Sequence, residues 1–423
     1  LHPKTGQPIK MRATGGGQRL YRMHYRLHYM SRTLAYWLVS LCAMFMLVAL
    51  ITGVIIHRRI FKDFFTFRPG KKQRSWLDMH NVFSVLALPF HFMITYSGLL
   101  FLASTFMPLI IVGSYGKDNS EAFFDEVYNH YPSLSAAEEP ARLLPLSQFL
   151  NDGEQRWGEG QISYINVDHP GDANARVELN ERQPFGLTDG RELTYDGVSG
   201  EWLHKAGENP SGPGLFNDVM WNLHEGLFAG PLLRWLYFLS GCLATGMIAT
   251  GLILWTSKRR ARAERDNKPH LGLALVERLN IGTIIGLPLG IAVYFCSNRL
   301  LRIDLVDRAE LEVLALFTSW GLCFIYPLFR PLNRAWIELL WVSAILYALL
   351  PVLNGFTTQR HLGVSFAQQD WVMAGFDIAM LGFGIVFALA AMRIQGMPDK
   401  QMKPAAPAST LLEFEEAKQH DFS

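Results

Sequence analysis

Apolar residues collect in seven blocks, at about 33–57, 80–104, 232–255, 279–298, 311–329, 335–354 and 371–393. Each approaches the roughly 20 residues a helix needs to cross about 30 Å of hydrocarbon at about 1.5 Å per residue. The pattern predicts a mainly α, polytopic membrane protein. Between the second and third blocks the pattern changes to a long polar stretch with short alternating runs: Ile162 to Val167, Ala175 to Leu179, and Leu193 to Leu203. The last run is interrupted by Gly197 and Gly200, a hairpin signal. Segments 134–151 and 214–228 read as helical, so an α+β module is expected there.

Charge gives the spans a direction. Arg58, Arg59, Lys62, Arg68, Lys71, Lys72 and Arg74 lie between the first two blocks, and Lys258, Arg259, Arg260, Arg262, Arg265 and Lys268 follow the third. Arg330 and Arg334 mark another loop on the same side. Basic loops stay in the cytoplasm, so the module is expected outside, with this chain's N-terminus periplasmic and its C-terminus cytoplasmic. An odd number of spans with an outer start, and an opening Leu1-His2-Pro3 without Met, predict an eighth span upstream.

The organisation expected is therefore as follows. Residues 1–30 end a first periplasmic module, 31–104 form a helix pair with a basic cytoplasmic loop, and 105–230 form the periplasmic α+β module. A spanning helix fills 231–257, a basic loop 258–278, a four-helix extension 279–396 and a polar cytoplasmic tail 397–423. An internal repeat supports the first part: Trp37, Thr52 and Gly53 match Trp235, Thr250 and Gly251 at a constant offset. Met23-His24 through Leu27 likewise resembles Leu223-His224 through Leu227.

Composition narrows the chemistry. Half of the residues are hydrophobic and 18% are charged, against about 25% in an average soluble domain. A net charge of +2, with the basic residues beside apolar helices, gives no nucleic-acid signature. Cys42, Cys242, Cys296 and Cys323 fall inside apolar blocks without C-x-x-C spacing, and so read as small packing residues. Trp221, Trp235, Trp255, Trp341 and Trp371 near block ends read as an interfacial belt. Asp377, inside the last block, either relays protons, pairs with a neighbour or lies at the interface.

The histidines carry the candidate chemistry, because polar groups at bilayer depth are costly and neutral imidazole is the usual ligand of b-type haem. His57 and His80 flank the first basic loop, where they either clamp one haem near the inner face or bind headgroups. His91 follows His80 by eleven residues. On one continuous helix that returns to within about 20° of the same face, about 16 Å higher. It reads as a second haem level or as a hydrogen-bonded packing residue. His24 and His28 share a helical face, and His224 is related to His24 by the repeat. They are expected to hold haem or metal at the outer face, to line a substrate site, or to be interfacial. His2, His130, His169, His204, His270, His361 and His420 lie in polar segments and read as solvated. No G-x-G-x-x-G follows a strand, and there is no P-loop or H-E-x-x-H motif.

The stretch from Gly53-Val54-Ile55-Ile56-His57 through Phe64-Phe65-Thr66-Phe67-Arg68-Pro69-Gly70-Lys71 to Trp76-Leu77-Asp78-Met79-His80-Asn81 resembles the PepSY-associated transmembrane proteins. Leu88-Pro89-Phe90-His91, Thr95-Tyr96-Ser97-Gly98 and the hairpin Tyr195-Asp196 to Ser199-Gly200-Glu201 fit the same family. The resemblance covers residues 1–260 and implies paired helices separated by PepSY-like modules in a bacterial inner membrane. Some relatives resemble siderophore reductases with b-type haem between the helices. On that analogy His57, His80, His91, His24, His28 and His224 become ligands of one or two haems, and their haem iron is the expected metal. The electron donor would be separate, a quinol or a cytoplasmic reductase, the acceptor a ferric siderophore, and the surrounding partner membrane lipid. Two other readings stay open: a non-enzymatic module that binds or regulates an envelope partner, and a siderophore or metal transporter.

Overall fold

The computed structural model describes residues 5–8, 12–64, 73–117, 119, 122–124, 127, 134–182, 186–188, 190–207, 212–266 and 271–396. The expected tail 397–423, the Arg68, Lys71 and Lys72 part of the first basic loop, and His2, His130, His270 and His420 lie outside them. Among the described residues seven helical segments are long and apolar enough to span a membrane. The chain divides into two compact units, one of Leu1–His24, Phe67–His80 and Met247–Ser423, the other of Tyr25–Thr66 and Asn81–Gly246.

In the second unit, α1 (Gly16–Arg26), which begins in the first, leads into the spanning helix α2 (Arg32–Ile56). Leu27 just past α1 adopts φ 54°, a left-handed helix stop usually given to glycine. Ser31 then caps α2 by accepting the Leu34 N–H. A short α3 (Ile60–Asp63) follows, then α4 (Gln73–Leu86), α5 (Leu88–Phe106) and α6 (Pro108–Tyr115). The second apolar block is therefore not one helix. Ala87 leaves helical geometry (φ −113°, ψ 20°) two residues before Pro89, whose ring cannot follow a regular turn. The face and rise expected from His80 to His91 assume an unbroken helix and do not carry across this break.

The polar stretch forms α7 (Leu146–Trp157) and a four-stranded antiparallel meander, β1 (Ile162–Asp168), β2 (Arg176–Glu181), β3 (Glu192–Asp196) and β4 (Trp202–Ala206), in that spatial order. Phe149 of α7 packs on Val177, Leu179, Leu193 and Tyr195. The helix expected over 134–151 starts only at Leu146. Residues 134–145 are not helical, because Pro140 and Pro145 deny the chain a continuous turn. The β3–β4 connection is held by Asp196, whose Oδ1 accepts from Val198 N (3.0 Å) and Ser199 N (2.8 Å). Next come α8 (Gly212–Glu225), stopped by Gly226 at φ 65°, and α9 (Pro231–Arg265). Thus the sequence repeat corresponds to a short helix, a left-handed stop and a spanning helix in each half.

Unit one holds the four-helix extension. Its first span joins α10 (Leu271–Ile281), a π turn (Gly282–Gly286) and α11 (Leu287–Leu300). The π turn precedes Pro288, and Trp320 Nε1 donates to the Gly282 carbonyl at 3.0 Å. The remaining elements are α12 (Arg308–Ile325), α13 (Leu332–Thr357), the short α14 (Leu362–Ala367) and α15 (Trp371–Gln395). Ile281, Ile285, Leu289, Leu332, Ala335, Leu339 and Ala391 form its core. Cys296 and Cys323 are buried as expected of packing residues, Cys242 is half-buried, and Cys42 is exposed on α2.

Candidate functional site

His91 lies in the first turn of α5, fully buried. Its main chain is used: N–H bonds to the Ala87 carbonyl (2.8 Å), and its carbonyl accepts from Thr95 Oγ1 (2.7 Å). Its ring is not, because among the described residues neither Nδ1 nor Nε2 has a hydrogen-bond partner. The Ser240 backbone on α9 comes near without hydrogen-bond geometry. An imidazole sealed from water without a partner costs about 1–3 kcal/mol, which makes the ring the outstanding polar group of its unit.

His224 of α8 reaches α5 one helix segment further along. Its Nδ1 is 2.9 Å from Ser97 Oγ. Ser97 has one hydroxyl proton, and the Met93 carbonyl at 2.7 Å takes it. His224 Nδ1 therefore donates, and in the neutral ring the lone pair belongs to Nε2. Gly98 makes the approach feasible, since a Cβ there would stand 2.9 Å from His224 Cε1. Phe101 closes one side, edge-on at 5.0 Å.

In the other unit His80 is arranged by the same device. Its Nδ1 is 2.9 Å from the Met247 carbonyl and 3.3 Å from Thr250 Oγ1. A carbonyl only accepts, so Nδ1 carries the proton and Nε2 the lone pair. Gly251 lies against the ring, with a Cβ position 3.3 Å from Cε1. An Nδ1–H held by backbone is the usual support of a metal-bound histidine. Each ring thus sits on a hydroxyl–glycine pair, Ser97-Gly98 or Thr250-Gly251. In the sequence Thr250-Gly251 belongs to the repeat and Ser97-Gly98 to the stretch that resembles the family, but neither reads there as a histidine support. The repeat-related pair Thr52-Gly53 has no atom within 4 Å of its glycine Cβ position among the described residues.

The other candidates are more open. His57 is the exposed C-cap of α2, His24 is exposed on α1, and half-buried His28 packs edge-on to Tyr29 at 4.5 Å. His24 and His80 belong to one unit, and His28, His57, His91 and His224 to the other. Among the described residues no three His, Cys, Asp or Glu side chains converge as a metal-chelating group. Asp377 is buried and accepts from Asn354 Nδ2 at 2.7 Å, which is the pairing alternative for that acid.

A polar cluster in unit one was not legible in the sequence. Arg308 and Glu312 are fully buried and paired at 2.5 Å. Arg308 also donates to the Ala13 carbonyl (2.7 Å) and the Asn298 carbonyl (2.5 Å). Glu312 accepts from Thr14 Oγ1 (2.7 Å) and Gly15 N (3.1 Å). The segment just before the His24 helix is therefore pinned to the extension.

A family model described as the PepSY-associated TM region matches residues 1–258. The chain belongs to this family. The match covers α1 to most of α9, with all six candidate histidines, and ends before the four-helix extension. The chain is also similar to an uncharacterised protein of Pseudomonas aeruginosa, 26% identical over 265 residues, covering 59% of this chain and 64% of that one. It thus spans a little under two thirds of the curated relative it matches. Membership and the seven spans make this a multi-pass PepSY membrane protein.

Proposed function

We propose that the chain is a b-type haem membrane oxidoreductase that passes electrons across a bacterial inner membrane to a periplasmic acceptor, a ferric chelate such as a ferric siderophore. The observation that carries this reading is His91, a fully buried imidazole on a spanning helix, with both ring nitrogens unsatisfied among the described residues. An iron–nitrogen bond would use the lone pair that the protein leaves unused. His80 and His224 fit the same chemistry, because their Nδ1 protons are committed and Nε2 is the basic nitrogen. His24, His28 and His57 complete the candidate set.

Bound haem would supply a one-electron carrier whose potential follows ligation and burial. The residues of this chain hold the ligand tautomers through Met247, Thr250 and Ser97, and keep water from His91. Reducing equivalents would come from a quinol or a cytoplasmic reductase. The basic loops favour an outer N-terminus and an inner C-terminus.

The test is an absorption spectrum of protein purified from haem-replete cells, with the haem:protein ratio. Dithionite-reduced Soret and α bands are expected, with a lower ratio in His91→Ala and His80→Ala. Lack of those bands would reject the reading. Partner capture and proteoliposome uptake would then separate an envelope-binding module from a siderophore or metal transporter.

A further inference from the structure

We propose that the start of α13 carries a binding site for an anionic phospholipid, with Arg334 taking the phosphate and the helix wall above it the acyl chain. This site is independent of the haem reading. Arg334, Ile337, Glu338, Trp341 and Val342 are spaced i, i+3, i+4, i+7 and i+8, so they form one stripe. With Gln395 at the end of α15 they line a cleft of about 570 Å³. The stripe is graded: its charged members, Arg334 and Glu338, lie in the first two turns of a spanning helix, and it is apolar from Trp341 inward. A phospholipid has the same gradient, and the first turn of a span is where headgroups lie.

Charge selects the ligand. Glu338 is already neutralised, bonded by both Arg330 nitrogens and by the Tyr326 hydroxyl. Arg334 is exposed, and no hydrogen bond or ion pair of its own occurs among the described residues. The three charges sum to one positive, matching a phosphodiester. A zwitterionic headgroup would bring an ammonium towards Arg330 and Arg334. On the orientation expected from the basic loops, this end meets the anionic inner leaflet.

Native mass spectrometry of the full chain, released from mixed phosphatidylglycerol and phosphatidylcholine micelles, reads the site directly. Phosphatidylglycerol adducts are expected to dominate. Arg334→Ala should lower them about fivefold, the effect of one basic residue near the surface, and Arg334→Lys should restore most of the loss. Exposed Val342→Asn should also weaken retention, by disfavouring the chain while keeping the charge. Unchanged phosphatidylglycerol adducts in Arg334→Ala would overturn the proposal. So would competition by free glycerophosphate as effective as the lipid, which would mark a soluble-anion site, or preferential retention of a quinone.

Discussion

The α2–α5 pair and the four-helix extension both look like membrane helices, yet their largest buried polar side chains differ in their partners. In the extension's first span 56% of the apolar window is buried within the protein, against 11% in α2 and 22% in α5. The extension places Arg308 against Glu312 and two carbonyls, Asn354 against Asp377, and the Trp320 indole against the Gly282 carbonyl. On α5, His91 is completely buried and its ring has no hydrogen-bond partner among the described residues. The extension is not uniformly satisfied either: Glu277 Oε2, Asn333 Oδ1 and Ser365 Oγ are buried with no hydrogen-bond partner among the described residues. The extension ties its buried Arg308 and Asp377 to partners, whereas the family-matched region leaves a buried imidazole without one among the described residues.

That contrast is breakable. The largest effect is expected at Glu312. Glu312→Ala leaves Arg308 charged and buried and should cost about 3–5 kcal/mol in denaturant unfolding, whereas Arg308→Met with Glu312→Leu should cost far less. Next, His91→Leu removes an unsatisfied polar group and should stabilise haem-free protein by about 1–3 kcal/mol. A loss of stability there would mean that the ring has a partner in the protein. Gly98→Ala sets a methyl 2.9 Å from His224 Cε1 and should displace that ring at a cost of about 1–3 kcal/mol, visible as a changed His224 imidazole NMR signal. Trp320→Phe removes the indole hydrogen bond to the Gly282 carbonyl and should cost about 1 kcal/mol in the same unfolding assay.

The smallest effect concerns pH and the external sheet. Burial pushes the Asp196 carboxyl up, but hydrogen bonds from Ser199 and Val198 and the nearby Arg176 outweigh it, leaving the carboxyl below its usual value. A depressed folded value gives stability that is full above the unfolded value near 3.8 and is lost as pH falls through the folded one. Hydrogen exchange of the β2–β3 amides should therefore be steady from about pH 7 to about pH 5 as far as this group decides, and accelerate relative to intrinsic rates below about pH 4. Asp196→Asn should flatten that acid limb.

The spans were legible because hydrocarbon thickness sets their length, and the sheet because Leu193 to Leu203 alternates around its glycines. The helix begins at Leu146 and not near residue 134, because Pro140 and Pro145 interrupt the apolar residues before it. His80 and His91 lie on separate helices, because the apolar block that holds both is broken just before Pro89. The Arg308–Glu312 cluster was out of reach for another reason. The i,i+4 spacing is visible, but the groups that make its burial tolerable, Ala13, Thr14 and Gly15, lie nearly the whole chain away. The histidine supports were half visible, since Ser97-Gly98 and Thr250-Gly251 can be read as dipeptides but not as cradles until a ring is seen on each.

The interruption at Ala87 has an evolutionary consequence. A residue inserted or deleted within α4 changes the phase of that rod by about 100°, but the change need not be transmitted through a residue already outside the helical basin. The azimuth of His91 is fixed within α5 itself, by its own turn and by Pro89. Two histidines eleven positions apart can thus drift, be retuned or be lost one at a time, as independently inherited parts rather than as two marks on a single ruler.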